Sequence, residues 1–193
     1  MSKQQSSREN LLNIAEQLFT SRGYTAVTLK DIAKALGIKQ ASLYYHFPLG
    51  KEDLYVEVML RHLERRSGVL KKLIAQANPD LENCLLSVGM WLIEQPPLNG
   101  GRMILTDLPQ LSQQKAEVLE SAMYRCAFAP IEELFARYRD DLQDSLQQDP
   151  GFIGGAFISA IESLYTFKRY GVKDDEELVA DLITLLLKGA VKR

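Results

Sequence analysis

The sequence contains few of the features that mark secreted, zinc-binding or membrane proteins. Its 193 residues include only two cysteines, Cys84 and Cys126, which lie far apart and outside any CxxC spacing, so neither a disulfide framework nor a zinc site is predicted. We expect both to be small buried hydrophobic residues, with a thiol sensor as the alternative. Long apolar runs are also missing, because no segment approaches the roughly 18 uninterrupted apolar residues of a membrane span.

Targeting and catalytic motifs are absent as well. The first ten residues, MSKQQSSREN, lack the apolar centre of a signal peptide, which predicts a cytoplasmic protein with no membrane partner. His46 and His62 are the only histidines, and no metal spacing, phosphate loop or nucleophile motif accompanies His62. We therefore expect a protein that is not an enzyme and that uses no metal and no cofactor.

The net charge is unevenly distributed along the chain. The whole chain carries a net charge of -2. Residues 1–51 contain seven Lys and Arg against three Asp and Glu, a balance of +4, so the rest of the chain carries -6. A compact basic segment on an acidic body is typical of a protein that holds one face against phosphate groups.

The pattern of apolar residues predicts an all-α fold. Apolar side chains recur three and four positions apart in almost every segment, and no run alternates as a β-strand does. Pro48 and Gly50 divide the chain into a predicted N-terminal domain, residues 1–50, and a larger helical domain, residues 51–193. Gly68 is predicted to kink or interrupt its helix, and Pro130 is predicted to kink or split its helix. Helices are expected at about 7–22, 28–37, 39–47, from 51 to Pro79, 81–93, a short one to 108, 115–139, 151–170 and 174–191.

A helix-turn-helix is predicted at about residues 28–47. Ala33 lies four positions before Gly37, and two helices that cross steeply over a short turn need a small side chain at the crossing. Glycine tolerates the left-handed conformation that such a turn requires. Ile38, Leu43 and Phe47 are expected to point inward and to fix the third helix.

The outer side of that third helix carries side chains of the kind that bind DNA. Gln pairs with adenine, Lys donates to guanine, and Ser or Ala contacts base edges or a thymine methyl group, whereas Tyr and His donate to phosphates. These side chains are Lys39, Gln40, Ala41, Ser42, Tyr44, Tyr45 and His46. From the spacing alone, a three-helix core with a solvated polar face is the alternative.

The same stretch resembles the tetracycline-repressor (TetR) family. The resemblance lies in Gly23-Tyr24, in TLKDIAKALG from Thr28 to Gly37, in ASLYYHF from Ala41 to Phe47, and in Lys51, about the first quarter of the chain. It implies an N-terminal three-helix DNA-binding head and a larger helical C-terminal body for ligand binding and dimerisation. It also adds Thr28 and Lys51 to the residues expected to face DNA. The link Pro48-Leu-Gly50 is one residue longer than the commonest link in the family, which bears on the placement of Lys51.

What the resemblance implies for function is a homodimer on double-stranded, palindromic operator DNA. Such a protein is a ligand-responsive transcription regulator, most often a repressor that an effector releases from its operator by favouring another conformation of the helix after Lys51. The small-molecule effector is unknown. A helical small-molecule-binding enzyme is one alternative, and a helical adaptor is another, although an adaptor does not explain residues 40–46.

Two further groups of residues are candidates for the roles that the resemblance implies. Apolar, aromatic and polar side chains of the middle helices are expected to line a ligand pocket: Met90, Trp91, Met103, Tyr124, Arg125, Phe128, Glu162 and Tyr165, with Asp107 as a further polar candidate. Small and apolar residues of the last two helices are expected to pack on a second copy: Gly154, Gly155, Phe157, Ile161, Leu178, Leu182 and Leu185. For each of these residues, a place in the core of its own chain is the alternative.

Overall fold

The computed structural model describes residues 3–77 and 80–190, and it contains helices and no β-strand within those ranges. The predicted all-α fold is therefore confirmed. The helices are α1 (Lys3–Arg22), α2 (Leu29–Leu36), α3 (Ala41–His46), α4 (Lys51–Ala77), α5 (Leu81–Glu94), α6 (Gly100–Arg102), α7 (Gln113–Met123), α8 (Ala129–Arg137), α9 (Pro150–Phe167) and α10 (Asp175–Ala190). Shorter π-helical turns lie at Met103–Asp107 and Tyr124–Phe128, and 3-10 turns lie at Leu108–Gln110, Arg139–Asp141 and Lys168–Tyr170.

Most predicted boundaries agree with these bounds to within a few residues. The predicted interruption at Gly68 is wrong, because α4 runs through this residue; one glycine in a long helix costs only about 1 kcal/mol relative to alanine. Pro130, predicted to kink or split its helix, stands in the first turn of α8, and the π-helical turn Tyr124–Phe128 joins α7 to α8 without a non-helical residue between them. A kink at either residue stays a prediction. Pro79 and Val191, two predicted helix ends, lie outside the described residues.

The first compact unit comprises the described residues up to Glu64 together with Asn99–Ala122. Its core is built mainly from the inward faces of α1, α2, α3 and the first part of α4, with Phe19, Ile32 and Leu54 fully buried. Polar pairs join α1 to α4 at the edge of this core: the Arg8 guanidinium contacts Glu57, and His62 Nδ1 lies 3.0 Å from Glu16 Oε1. The apolar contacts carry most of the stability here, because partly exposed ion pairs contribute little.

The second compact unit comprises Arg65–Leu98 and the described residues from Met123 onward. Helices α5, α8, α9 and α10 surround an apolar core that includes Leu85, Phe135 and Phe157. At Gly89 the approach of α5 to α10 is very close, because a β-carbon added there would lie 2.6 Å from Val179 Cγ1. A glycine is therefore required at this crossing. The predicted domain boundary between residues 50 and 51 stays a prediction.

Both cysteines are free and buried, as predicted for small hydrophobic residues. Burial raises the pKa of the Cys84 thiol, which disfavours the reactive thiolate. Across the part of the chain that the structure describes, none of the helices combines the length and apolar character needed to span a bilayer.

Candidate nucleic-acid interface

The start of α2 is fixed by a capping box between Thr28 and Asp31. The Thr28 hydroxyl oxygen accepts from the Asp31 N–H at 3.2 Å, and the Asp31 carboxylate accepts from the Thr28 N–H at 2.9 Å. These bonds satisfy backbone donors that a helix start leaves without partners. Because the Thr28 hydroxyl and N–H both donate to it, the pKa of Asp31 lies below its ordinary value of 3.8. The cap agrees with the helix that the sequence predicts at about residues 28–37.

The turn after α2 has the left-handed glycine that the sequence predicts. Gly37 has φ 68° and ψ 27°, and its N–H donates to Lys34 O. The N–H of Ile38 donates to Ala33 O at 3.0 Å, which completes a Schellman motif. Ala33 is buried, which agrees with the small side chain expected at a helix crossing. The angle between α2 and α3 is therefore set largely by local bonds.

On α3 the inward positions are Leu43 and Phe47, both buried as predicted. The inward position predicted for Ile38 is wrong, because 42% of this residue is exposed. Ile38 donates its N–H back to Ala33 to close α2, so its backbone belongs to the turn and its side chain does not share the inward face of α3. The short helix is held by two large side chains rather than three.

The opposite side of α3 faces solvent. Lys39, Gln40, Ala41, Ser42, Tyr44 and Tyr45 are exposed and His46 is half-buried. Tyr45 is 73% exposed, and its ring meets that of His46 edge-on with the centroids 5.3 Å apart. Gln40 occupies the N-cap position of α3 without using its side chain as a cap. This polar and aromatic surface is what the sequence predicts for a face that contacts DNA.

Thr28 and Lys51 lie on either side of the helix-turn-helix in the sequence and differ in environment. Thr28 is exposed. Lys51 begins α4 and is half-buried, with its Nζ 4.0 Å from the centroid of the Tyr24 ring. Burial lowers the pKa of the Lys51 ammonium, while the charge of Asp107 acts in the opposite direction. Whether either residue contacts DNA stays a prediction.

A buried carboxylate, Asp107, supports the end of α1 within the same unit. It accepts from the Tyr24 N–H at 3.0 Å and from the Tyr55 hydroxyl at 3.3 Å, and Arg102 Nε lies 3.5 Å away. The Arg102 guanidinium donates in turn to the Thr20 carbonyl at 2.9 Å, at the C-terminal end of α1. Sequence reasoning placed Asp107 among the polar pocket candidates and missed Arg102, because contacts between residues so distant in sequence leave no local pattern.

The profile described as "Bacterial regulatory proteins, tetR family" matches residues 11–58, which cover α2, α3 and their connections. Over these residues, about a quarter of the chain, the sequence is similar to the TetR family. Two curated relatives are the HTH-type transcriptional regulator LmrA of Bacillus subtilis, 47% identical over 53 residues and 28% of each chain, and the HTH-type transcriptional repressor KstR2 of Rhodococcus jostii, 41% identical over 68 residues, 35% of this chain and 33% of the relative. The aligned segments thus span about a third of these relatives.

The likeness to solved TetR-family structures extends over nearly the whole chain. The crystal structure of a TetR transcriptional regulator from Legionella pneumophila covers 96% of this chain and 97% of its own, with a TM-score of 0.72 and 23% identity. At this identity the likeness concerns the fold. It confirms the predicted architecture of an N-terminal helix-turn-helix followed by a larger helical body.

The candidate ligand-pocket residues fall into different environments. Met103 is fully buried in the core of the first unit, whereas the other seven belong to the second unit. Among those seven, Tyr124, Arg125 and Tyr165 are exposed, and Met90, Trp91, Phe128 and Glu162 are partly buried. The Glu162 carboxylate accepts from the Leu98 N–H at 2.8 Å, and the Tyr124 hydroxyl donates to Glu132 at 2.8 Å. Their role in binding a ligand stays a prediction.

The dimer candidates divide into buried and accessible residues. Gly154, Phe157 and Ile161 are buried within the second unit. All three therefore belong to the core of that unit. Gly155, Leu178 and Leu182 are partly exposed and Leu185 is 73% exposed. Leu182 and Leu185 border an apolar groove of about 390 Å³ that α9, α10 and the preceding loop form. The interface itself stays a prediction, restricted to the accessible residues.

Proposed function

We propose that this protein is a DNA-binding transcription regulator that inserts α3 into the major groove of operator DNA. The observation that supports this most directly is the pairing of a rigidly closed turn at Gly37 with a short helix whose outer side is polar and aromatic. Leu43 and Phe47 hold α3 from beneath, so the side chains from Lys39 to His46 project from a fixed backbone. Fixed backbone geometry is what base reading requires.

Within this face we assign two kinds of contact. Gln40 stands at the start of α3 with its side-chain amide unused in capping, and a glutamine amide matches the donor and acceptor of adenine. Tyr45 and His46 stand at the other end of α3, where hydroxyl and ring N–H groups suit phosphate oxygens. Gln40 is thus proposed to read sequence, and Tyr45 to position the helix.

Regulation by a small molecule is the second part of the proposal. Release from DNA when an effector binds to the helical body is typical of the family, and KstR2 and the biofilm operon regulator IcaR are named as repressor and negative regulator. We propose that this chain acts likewise as a repressor rather than as an enzyme. Its homodimer would form through the accessible sides of α9 and α10, where the groove beside Leu182 and Leu185 leaves apolar surface uncovered.

The experiment that tests DNA binding uses the purified protein and DNA from its own promoter region, with the salt concentration varied. We expect a protected footprint and an affinity that falls as salt rises, because phosphate contacts release counterions. Tyr45→Ala should weaken binding to all sequences, whereas Gln40→Ala should also relax the preference at one base pair. Tyr170→Ala is the matched control, since Tyr170 is also 73% exposed but lies in the second unit.

Three results would contradict the proposal. The first is the absence of any footprint or salt-dependent affinity. The second is an equal loss of DNA binding in Tyr45→Ala and Tyr170→Ala, which would mean that α3 does not contact the DNA. The third is an equal, sequence-independent loss for Gln40→Ala and Tyr45→Ala, which would contradict the division into reading and positioning residues.

A further inference from the structure

The second unit contains a buried cation that sequence reasoning did not single out. Arg66, on α4, is only 7% exposed. Its Nη1 donates to the Pro96 carbonyl at 3.3 Å, and its guanidinium carbon lies 5.2 Å from the centroid of the Trp91 ring. No carboxylate among the described residues forms an ion pair with it, and Glu162 attracts its charge at longer range.

This arrangement is unfavourable for a side chain whose role is only structural. A guanidinium has five N–H donors in a planar fork, and one carbonyl at 3.3 Å satisfies few of them. Burying a charge without a hydrogen-bonded counter-ion destabilises a protein, and burial accordingly lowers the pKa of Arg66. An apolar side chain of similar length would pack against Trp91 without that cost. None of the Arg66 nitrogens is both fully buried and without a partner, so its remaining N–H donors are within reach of a molecule from solvent.

Glu162 does not fill that place. Its Oε1 accepts from the Leu98 N–H at 2.8 Å, so the carboxylate is engaged with the segment that follows α5. That bond holds Glu162 in the neighbourhood of Arg66 without a direct contact. The fork of Arg66 is left facing an environment that offers the face of Trp91 and the Pro96 carbonyl.

The chemistry of the missing partner follows from the two side chains. The guanidinium fork matches a planar carboxylate, which accepts two parallel N–H bonds. The half-buried Trp91 ring offers a flat apolar surface beside it, and pockets for small molecules combine such surfaces with a few oriented polar groups. We propose that Arg66 and Trp91 form a binding site for a small organic carboxylate, whose charged group pairs with Arg66 and whose apolar part packs on Trp91. The inference rests on the proposed function only where it makes this carboxylate the effector.

The test uses the fact that Trp91 is the single tryptophan of the chain, so tryptophan fluorescence reports from the site itself. The full-length protein is titrated with benzoate, phenylacetate, octanoate and decanoate, and with the primary amide of each. We expect at least one carboxylate to change the fluorescence saturably and to bind about tenfold or more tightly than its amide, because the amide lacks the charge that pairs with the fork. Arg66→Gln should abolish this preference.

The control is Arg65→Gln, which removes an exposed arginine from the adjacent position of α4 and should leave both affinities unchanged. Arg66→Lys keeps the charge but not the fork, so it should bind the carboxylate more weakly than the wild type does. If Arg66→Gln does not fold, as judged by circular dichroism, the carboxylate affinities of the wild type and Arg66→Lys test the inference instead.

The inference is overturned if none of the four carboxylates binds, if acid and amide bind equally, or if Arg66→Gln or Arg66→Lys binds the acid as tightly as the wild type does. A separate measurement adds the binding carboxylate to the complex of wild-type protein with promoter DNA, which should dissociate. Carboxylate binding by a protein that does not bind DNA contradicts the proposed function alone. DNA binding that the bound carboxylate does not affect contradicts its role as effector and leaves the proposed function intact.

Discussion

Helices α2 and α3 of the first unit and helices α9 and α10 of the second are specified in different ways. The α2–α3 pair is fixed by bonds between neighbours in the sequence, such as those between Thr28 and Asp31 and the closure at Gly37. The α9–α10 pair is fixed by apolar packing against residues far away in the sequence, among them Val88 and Phe135. The first kind of element presents its polar and aromatic side chains outward, and the second keeps most of its large side chains inside. Local chemistry thus predicts a candidate DNA-binding face more directly than it predicts a candidate dimer interface.

The largest expected effect separates core from surface within α9 and α10. Phe157→Ala should lower the free energy of unfolding by about 3–5 kcal/mol, because Phe157 is 1% exposed and truncation leaves a cavity. Leu185→Ala should change it by about 0.5 kcal/mol or less, since Leu185 is exposed. Denaturant unfolding at two protein concentrations measures both. If the cost of Phe157→Ala depended on protein concentration while that of Leu185→Ala did not, the assignment of core and interface would be reversed.

A second prediction concerns two glycines of the same unit. Gly89→Ala should destabilise by about 1–3 kcal/mol, because the new methyl group would lie 2.6 Å from Val179 Cγ1 and force α5 and α10 apart. Gly155→Ala is the matched control: no atom lies within 4 Å of the added carbon, so helix propensity should stabilise by about 0.5–1 kcal/mol. Thermal unfolding of both variants checks the signs. A neutral Gly89→Ala would contradict the close crossing.

These two regions also explain which structural features can be predicted from the sequence. The cap at Thr28, the left-handed Gly37 and the buried Leu43 follow from spacing, because each depends on residues a few positions away. Phe157 looks the same in sequence whether it packs on its own chain or on a second copy, so the core and the interface were not separable.

Arg66 and Arg102, which the sequence analysis did not single out, are ordinary charged residues in an amphipathic pattern. Only the fold reveals that Arg66 is buried beside Trp91 and that Arg102 contacts the end of α1. The error at Ile38 has the opposite origin: the apolar pattern was continued across a turn, although the Schellman closure had already changed the direction of the chain. Periodicity predicts faces within a helix, not across its end.

A smaller effect is expected at the turn of the helix-turn-helix. Gly37→Ala should destabilise by about 1–2 kcal/mol, because φ is 68° and no compensating contact is gained. The same substitution at Gly68, inside α4 and with no atom within 4 Å of the added carbon, should instead stabilise by up to about 1 kcal/mol. Denaturant unfolding gives both values. DNA affinity should fall in Gly37→Ala only. Equal DNA affinities for the two variants would mean that DNA binding does not depend on the conformation of this turn.

The smallest effect is a dependence on pH at the start of α7. Glu52 Oε1 accepts from the Ser112 N–H at 2.6 Å, and Lys115 Nζ lies 3.2 Å from Oε2. Chiefly because of the Ser112 N–H, the pKa of Glu52 lies below its ordinary value of 4.5. A lowered carboxyl pKa stabilises the fold above the ordinary value, and this stabilisation is lost as the pH falls through the folded-state pKa. At pH 7, Glu52→Gln should cost about 0.3–1 kcal/mol.

Unfolding by denaturant at a series of pH values from about 7 to about 3 measures this difference. The wild type and Glu52→Gln should converge at the acid end, because protonation removes the charge that the substitution removes. Glu64→Gln, which changes an exposed residue of α4, corrects for the general effect of losing one carboxylate. A gap between wild type and Glu52→Gln that widened as the pH fell would mean that the neutral side chain makes the stabilising contact, and that the ionised carboxylate does not hold the start of α7.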